Sequence, residues 1–345
     1  MRKFLLAAAG LSVMGAAAIL PAAAQAQQTQ LFNGFVNHNS AMHAKLMVPY
    51  LNAITKATEG RVKFNIAPNN LAPPPEQMNM VRSGIADTAY MFIAFLEQSN
   101  PTLQVSLLPG LNSTGQADAV ALWRTYEKFF KQKNPIKGVK FLGFFGTPAA
   151  QIINIKKEPI RSLAFYKGKK VWSLPGIASQ AMAATGAVVV PGPAVRVHEI
   201  VSKGVVDAFC CIDFENLEAV KVMDYVGAVT EVDGGVFAAK FAVFMNERKW
   251  NAIAAKDREA IEKLSGEALA LRSIEIDRTA EAAQKAYLAK GGIVEKAAPA
   301  FNAELKKIWS PLQEKWFARM QKMGIDGKAA LAFYQAEAAR ARGGK

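Results

Sequence analysis

Cysteine and histidine are scarce in this 345-residue chain, two of the first and three of the second, and the motifs that commonly organise enzyme active sites are missing. No G-x-S-x-G elbow, G-x-x-x-x-G-K-[ST] loop, G-x-G-x-x-G turn or H-E-x-x-H pair occurs, which removes the usual serine-hydrolase, P-loop, dinucleotide and zincin readings. His38, His43 and His198 do not stand at metal-ligand spacings with other ligand types. The two cysteines, Cys210 and Cys211, are adjacent, so a disulfide between them is strained and offers no ordinary staple. Without a C-x-x-C spacing or a neighbouring histidine they read as small buried side chains rather than a metal pair or redox switch. No catalytic residue, metal or cofactor is expected.

Acidic residues are also in deficit, with a formal net charge of +14. The basic residues are spread along helical stretches (Lys256, Arg258, Lys263, Arg272, Arg278) with acids between them and no aromatic interleaving. That is a solvated surface, not a nucleic-acid footprint. At the N-terminus, Arg2 and Lys3 precede an apolar run from Phe4 to Leu20 and an Ala24-Gln25-Ala26 site. Basic, apolar and small-residue segments in that order make a signal peptide cleaved after Ala26, with a retained membrane anchor as the alternative. Without Arg2 and Lys3, 40 basic residues face 28 acidic ones, a net of +12. Export to a periplasm is implied, and no cysteine near the site provides a lipid anchor.

What is present in abundance is alternation of short apolar runs with helical periods. Between Ile160 and Asp207 the chain runs from Gly168 into a strand (169–173), a Pro-Gly break, a helix from Ile177, a strand (187–190), a Pro-Gly-Pro turn, a helix from Ala194 and a third strand entered through Gly204. Strands separated by helices and punctuated by Gly and Pro are βαβ units on a mostly parallel sheet. A similar unit precedes it: a strand over 31–36, a helix over 41–58, an alternating strand at Val62, Phe64 and Ile66, a helix from Pro73 to Gly84 and a strand over 86–91. A helix is expected over 116–133, strands over 137–145 and 236–246, one long helical pattern over 252–289, and two closing helices over 298–322 and 328–341.

The wording of these segments carries a family resemblance. Pro159-Ile160, then Gly168-Lys169-Lys170-Val171 and Pro175-Gly176, then Gly186-Ala187 with Val190-Pro191, then Gly204-Val205-Val206-Asp207 resemble the second lobe of the periplasmic solute-binding proteins of TRAP transporters. The segment Ala67 to Phe92, with Ser83-Gly84 and Asp87, resembles the first lobe. The resemblance implies an α/β, two-lobed periplasmic binding protein, type II-like, with hinge strands and a long bracing helix. It places lobe I at 27–146 with about 236–275, and lobe II at 147–235 with about 276–345 and the C-terminal helices. The partners it implies are a small-molecule solute and TRAP membrane permease subunits.

It also implies where ligand is held. Relatives end the strand after the Gly-Lys motif in an arginine that clamps the solute carboxylate in a bidentate pair; here that position is Trp172. The polar residue after the third strand falls near Cys211, in a loop carrying Phe209 and Asp213, and the glutamate after the proline turn is Arg196. Met91 and Phe92 stand where some members are polar. Gln151, His38, Asn39 and Asn70 complete the expected contacts. The substitutions imply a pocket more apolar and aromatic than usual, suited to an organic acid with an apolar or aromatic body. An uncharged or zwitterionic solute is the alternative, and an exported cysteine-dependent enzyme a more distant one.

Overall fold

Among the residues described by the computed structural model, 27–36 and 38–343, the apolar runs become eleven strands in two sheets. The expected signal peptide, 1–26, lies outside the described residues. The first sheet holds β1 (Gln28–Asn33), β2 (Val62–Ile66), β3 (Thr88–Phe92), β4 (Lys140–Gly146) and β10 (Lys240–Met245) in the order β2-β1-β3-β10-β4. The second holds β5 (Ile152–Asn154), β6 (Lys170–Ser173), β7 (Val188–Pro191), β8 (Ala208–Cys210), β9 (Ala228–Glu231) and β11 (Ile293–Lys296) in the order β11-β9-β5-β8-β6-β7. Within each sheet the βαβ pairs are parallel (β1 with β2 and β3, β6 with β7 and β8), while β10 and β5, which arrive from the other half, run antiparallel to both neighbours. β3 and β10 are covered on both faces, which is why they read as continuous apolar runs without alternation.

Twelve α-helices cover the sheets among the described residues. The first half carries α1 (Val48–Ala57), continuing a π-helical turn at Met42–Met47, with α2 (Gln77–Ser83) and α3 (Gly115–Thr125). The second carries α4 (Ile177–Ala183), α5 (Val197–Ser202) and α6 (Phe214–Ala219). The expected continuous helix over 252–289 is instead a series: α7 (Glu247–Ala252), α8 (Ala255–Leu264), α9 (Glu267–Leu271) and α10 (Ile274–Ala289). The chain breaks at Ser265-Gly266, where Gly266 has φ +59 and donates its N–H to Leu142 O. Helical periodicity continues across such a break, so sequence pattern alone does not register it.

The long brace is α11 (Pro299–Lys322), which packs on α4 in the second half and on the 101–107 segment in the first. Trp309 Nε1 donates to Ala181 O at 3.0 Å, and Trp316 Nε1 donates to Pro101 O at 3.0 Å. α12 (Gly327–Arg342) packs along α3, joined by Arg124 and Glu337 at 2.7 Å. The C-terminal helix therefore lies against the first half rather than the second.

Two extended segments, 147–151 and 232–239, carry the chain between the halves and pair with one another: Thr147 N–H to Ala239 O, Ala150 N–H to Phe237 O, and Val236 N–H to Ala150 O. The 108–112 turn joins them through Gly110 N–H to Gly235 O at 2.8 Å. Gly234 is required at this crossing, since it has φ +72 and an added Cβ would stand 2.2 Å from Gly110 O.

Candidate functional site

Beyond the carboxyl ends of β3, β6 and β8, where open α/β sheets place ligands, the two halves enclose a cavity of about 420 Å³. Its first-half wall is aromatic: Phe35, Phe92, Phe95 and Phe241, with Val36, Met42, Pro74 and Ala239. The rings are mutually edge-on or tilted, Phe92 meeting Phe95 at 5.6 Å and 85° and Phe241 at 5.9 Å and 49°, and Phe35 meeting Phe241 at 6.1 Å. The second-half wall is aliphatic: Leu174 and Pro175 after β6, Pro193, Ala194 and Val195 after β7, and Cys211 and Ile212 after β8, with Ala219 and Val220 at the end of α6.

Polar groups on this surface are few: Ser40, Thr147, Asp213, Asn216, and His198 and Lys221 at the exposed rim. Asp213 caps α6, accepting from Glu215 N at 3.1 Å, Asn216 N at 3.2 Å and Asn216 Nδ2 at 2.7 Å. Burial pushes its pKa up, against those bonds. Next to it, Glu215 Oε1 accepts the Ala41 N–H at 2.7 Å, and Oε2 is buried with no hydrogen-bond partner among the described residues. Burial first, and the neighbouring Asp213 second, raise the Glu215 pKa to about 7. Across the interface, burial and the nearby His38 lower the His43 pKa to about 4. No arginine borders the cavity among the described residues, and no cluster of three or more His, Cys, Asp or Glu side chains there is placed to hold a metal ion.

Of the side chains singled out from sequence, Phe92, Cys211 and Asp213 meet at this cavity. Trp172 does not line it. The indole is fully buried one layer behind the wall, beneath Gly192, where an added Cβ would stand 3.1 Å from Nε1, and that N–H has no acceptor among the described residues. Met91 and Phe209 sit inside their sheets, Met91 opposite Ala242 and Phe209 between Trp172 and Ile153. Successive strand residues face opposite sides, so Phe92 reaches the cavity and Met91 turns from it.

The remaining expected contacts have structural partners. Gln151 Oε1 accepts the Val232 N–H at 2.8 Å, tying the two connecting segments together. Asn70 Oδ1 accepts from Asn33 Nδ2 and Gln77 Nε2, each at 3.2 Å. Arg196 pairs with Glu199 at 3.0 Å on the surface. His38 stacks on His43 with ring centroids 4.2 Å apart, and Asn39 is exposed beside it. Phe35, Phe95, Phe241, Leu174 and Pro175 are cavity residues that the sequence reading passed over. Leu174 and Pro175 follow directly on β6, and position past a strand end is the signal that marks them.

Behind the aromatic wall Lys240 is fully buried, with Nζ 3.4 Å from Asp118 Oδ2 and 3.3 Å from Ala238 O. Burial lowers its pKa, and Asp118 opposes that shift. Asp118 is held in turn by Ser113 N and Oγ.

Comparison with known proteins places the chain in a wider group. Residues 32–320 match the bacterial extracellular solute-binding proteins, family 7. Over 326 residues, 94% of this chain and 96% of the relative, it is 37% identical to the outer membrane transporter protein TsaT of Comamonas testosteroni. It is similar to the crystal structure of a TRAP periplasmic solute-binding protein from Bordetella bronchiseptica with bound (R)-mandelate and (S)-mandelate, at a TM-score of 0.85 and 26% identity, covering 91% of this chain and 99% of that one. A marine-metagenome TRAP solute-binding protein specific for aromatic acid ligands, in complex with 3-hydroxybenzoate, superposes at a TM-score of 0.82 with 22% identity over 91% of this chain and 99% of that one; this last likeness speaks for the fold alone.

Proposed function

The chain belongs to the bacterial extracellular solute-binding proteins of family 7, and from that premise we propose that it is the periplasmic receptor of a TRAP-type transporter for small organic acids with an aromatic body. The observation that carries the ligand class is the wall of Phe35, Phe92, Phe95 and Phe241 facing an aliphatic wall across about 420 Å³, a volume within the range of small-ligand sites. A single ring fits between such walls in offset or edge-on contact. The mandelates bound by the Bordetella protein support the same class. The acid group points to the rim, toward Lys221 and His198 and away from buried Asp213. Closure is a hinge movement about the paired segments 147–151 and 232–239, and the solute passes unchanged to the membrane permease.

A second reading, an uncharged or zwitterionic solute, is favoured by one observation: Asp213 stands in the wall and no arginine does among the described residues. Calorimetric titration of the purified protein with benzoate, 3-hydroxybenzoate, (R)-mandelate, benzamide and succinate separates the two. Saturable binding of the aromatic acids with no response to benzamide or succinate is the expected result. Benzamide binding more tightly than benzoate would move the assignment to the neutral solute, and succinate alone binding would refute the aromatic reading.

A further inference from the structure

Cys210 and Cys211 are the only cysteines of the chain, and their sulfurs lie 2.7 Å apart at the end of β8. That is well inside the roughly 3.5–4.0 Å at which even smaller nonbonded carbon atoms settle. Cys210 is sealed in the sheet opposite Ile152. Cys211 borders the cavity and has φ +72, a conformation uncommon for a residue with a side chain and one that concentrates at functional sites. We propose that this pair is a redox modification site in the cavity wall, closing reversibly to a vicinal disulfide that alters the shape of the ligand site.

The oxidant is a small organic disulfide, RSSR, reaching Cys211 through the cavity. Cys211 Sγ, as thiolate, attacks one sulfur of RSSR; the S–S bond breaks, a Cys211–S–SR mixed disulfide forms, and the departing RS⁻ takes the proton Cys211 gave up. Cys210 Sγ then attacks Cys211 Sγ, forming the Cys210–Cys211 bond and releasing the second RS⁻, which takes the proton from Cys210. The pair loses two electrons and two protons and RSSR becomes two RSH. The order of attack follows from position: both side chains are buried, but Cys211 borders the cavity, whereas Cys210 is sealed in the sheet, where burial holds its thiol far up. Reversibility follows from covalent geometry. Adjacent Cα atoms are held about 3.8 Å apart, short of the roughly 4.4–6.8 Å that disulfides prefer, and strained disulfides are the readily reduced ones.

The effect on the ligand site rests on the receptor reading; the chemistry of the pair does not. The test is treatment of the purified native protein with oxidised glutathione, then alkylation in denaturant and intact mass measurement. A loss of two hydrogen masses, no alkylation, no retained glutathione, and recovery of two alkylatable thiols after dithiothreitol are expected. Two alkyl groups after oxidant treatment, or a stable glutathione adduct on the wild-type chain, would overturn it. Cys210→Ser should stop at the mixed disulfide and retain one glutathione, while Cys211→Ala should take up none; the reverse pattern counts against the order of attack and against the site. Titration of both redox forms with (R)-mandelate reads the effect on the cavity, a change in Kd of about threefold or more being expected. Equal affinities refute the effect on the cavity. Failure of mandelate, benzoate and 3-hydroxybenzoate to bind either form, with the two-hydrogen loss present, refutes the aromatic-acid reading and supports the redox site.

Discussion

Glu215, at the start of α6 in the second half, accepts the backbone N–H of Ala41, which opens the helical stretch of the first half, at 2.7 Å. A carboxylate from one lobe thus caps a helix of the other beside the cavity, and favours that helix N-terminus through its charge as well as its hydrogen bond. The same burial that shelters the contact makes the charge costly, which is why the Glu215 pKa stands near 7.

A raised carboxyl pKa means that the folded state holds a proton the unfolded chain has already released. Stability from this group is therefore fully present below the ordinary carboxylate range and is lost as pH rises toward about 7. Asp277, raised to about 6 by burial, acts in the same direction, and His43, lowered to about 4, acts oppositely between about 4 and 6.5. Comparison with Glu215→Gln isolates the Glu215 share, since glutamine keeps an acceptor for Ala41. The melting temperature of the wild type should fall relative to the variant between pH 5 and 7.5, by the equivalent of about 1–3 kcal/mol. Parallel curves would refute it.

Phe95 is only partly buried and meets Phe92 edge-on at the cavity. Phe95→Ala should weaken benzoate or mandelate binding by about 1–2 kcal/mol with a small change in melting temperature. Unchanged calorimetric affinity would take that ring out of the ligand site.

Trp172 stands behind the wall, supporting the 191–193 turn. Trp172→Ala should cost about 3–5 kcal/mol of folding stability by opening a void. Trp172→Phe, which keeps most of the packing and removes a buried N–H that has no acceptor among the described residues, should leave ligand affinity within about threefold. A large affinity loss in the phenylalanine variant would restore the indole to the ligand site.

Lys240 and Asp118 form a wholly buried ion pair near the crossing of the two halves. Removing one partner strands the other: Asp118→Ala should lower unfolding free energy by about 3–5 kcal/mol, whereas the double change Asp118→Leu with Lys240→Met should cost far less. Denaturant titration of the two variants decides it, and equal losses would refute the pairing argument.

Much of the architecture is legible in the sequence because Gly and Pro punctuate it: Gly84, the Pro175-Gly176 break and Gly204 each stand where a helix or strand changes over. The site is less legible because its residues depend on which strand lies beside which. Phe241 reaches the cavity only because β10 inserts between β3 and β4, a pairing no local pattern encodes. The motif points to Trp172, but the chain travels on to Leu174 and Pro175 before its side chains reach the cavity. Cys211 was legible by position and not by chemistry, since only the folded backbone reveals its left-handed turn.

The two tryptophans of α11 are seven residues apart, two helical turns, and so leave the same side of one rod. Each is riveted through its indole N–H to a different half of the molecule, at Ala181 and Pro101. Any movement that parts the two halves along this rod would strain both fastenings, so one helix ties the rear of the molecule to each half at once.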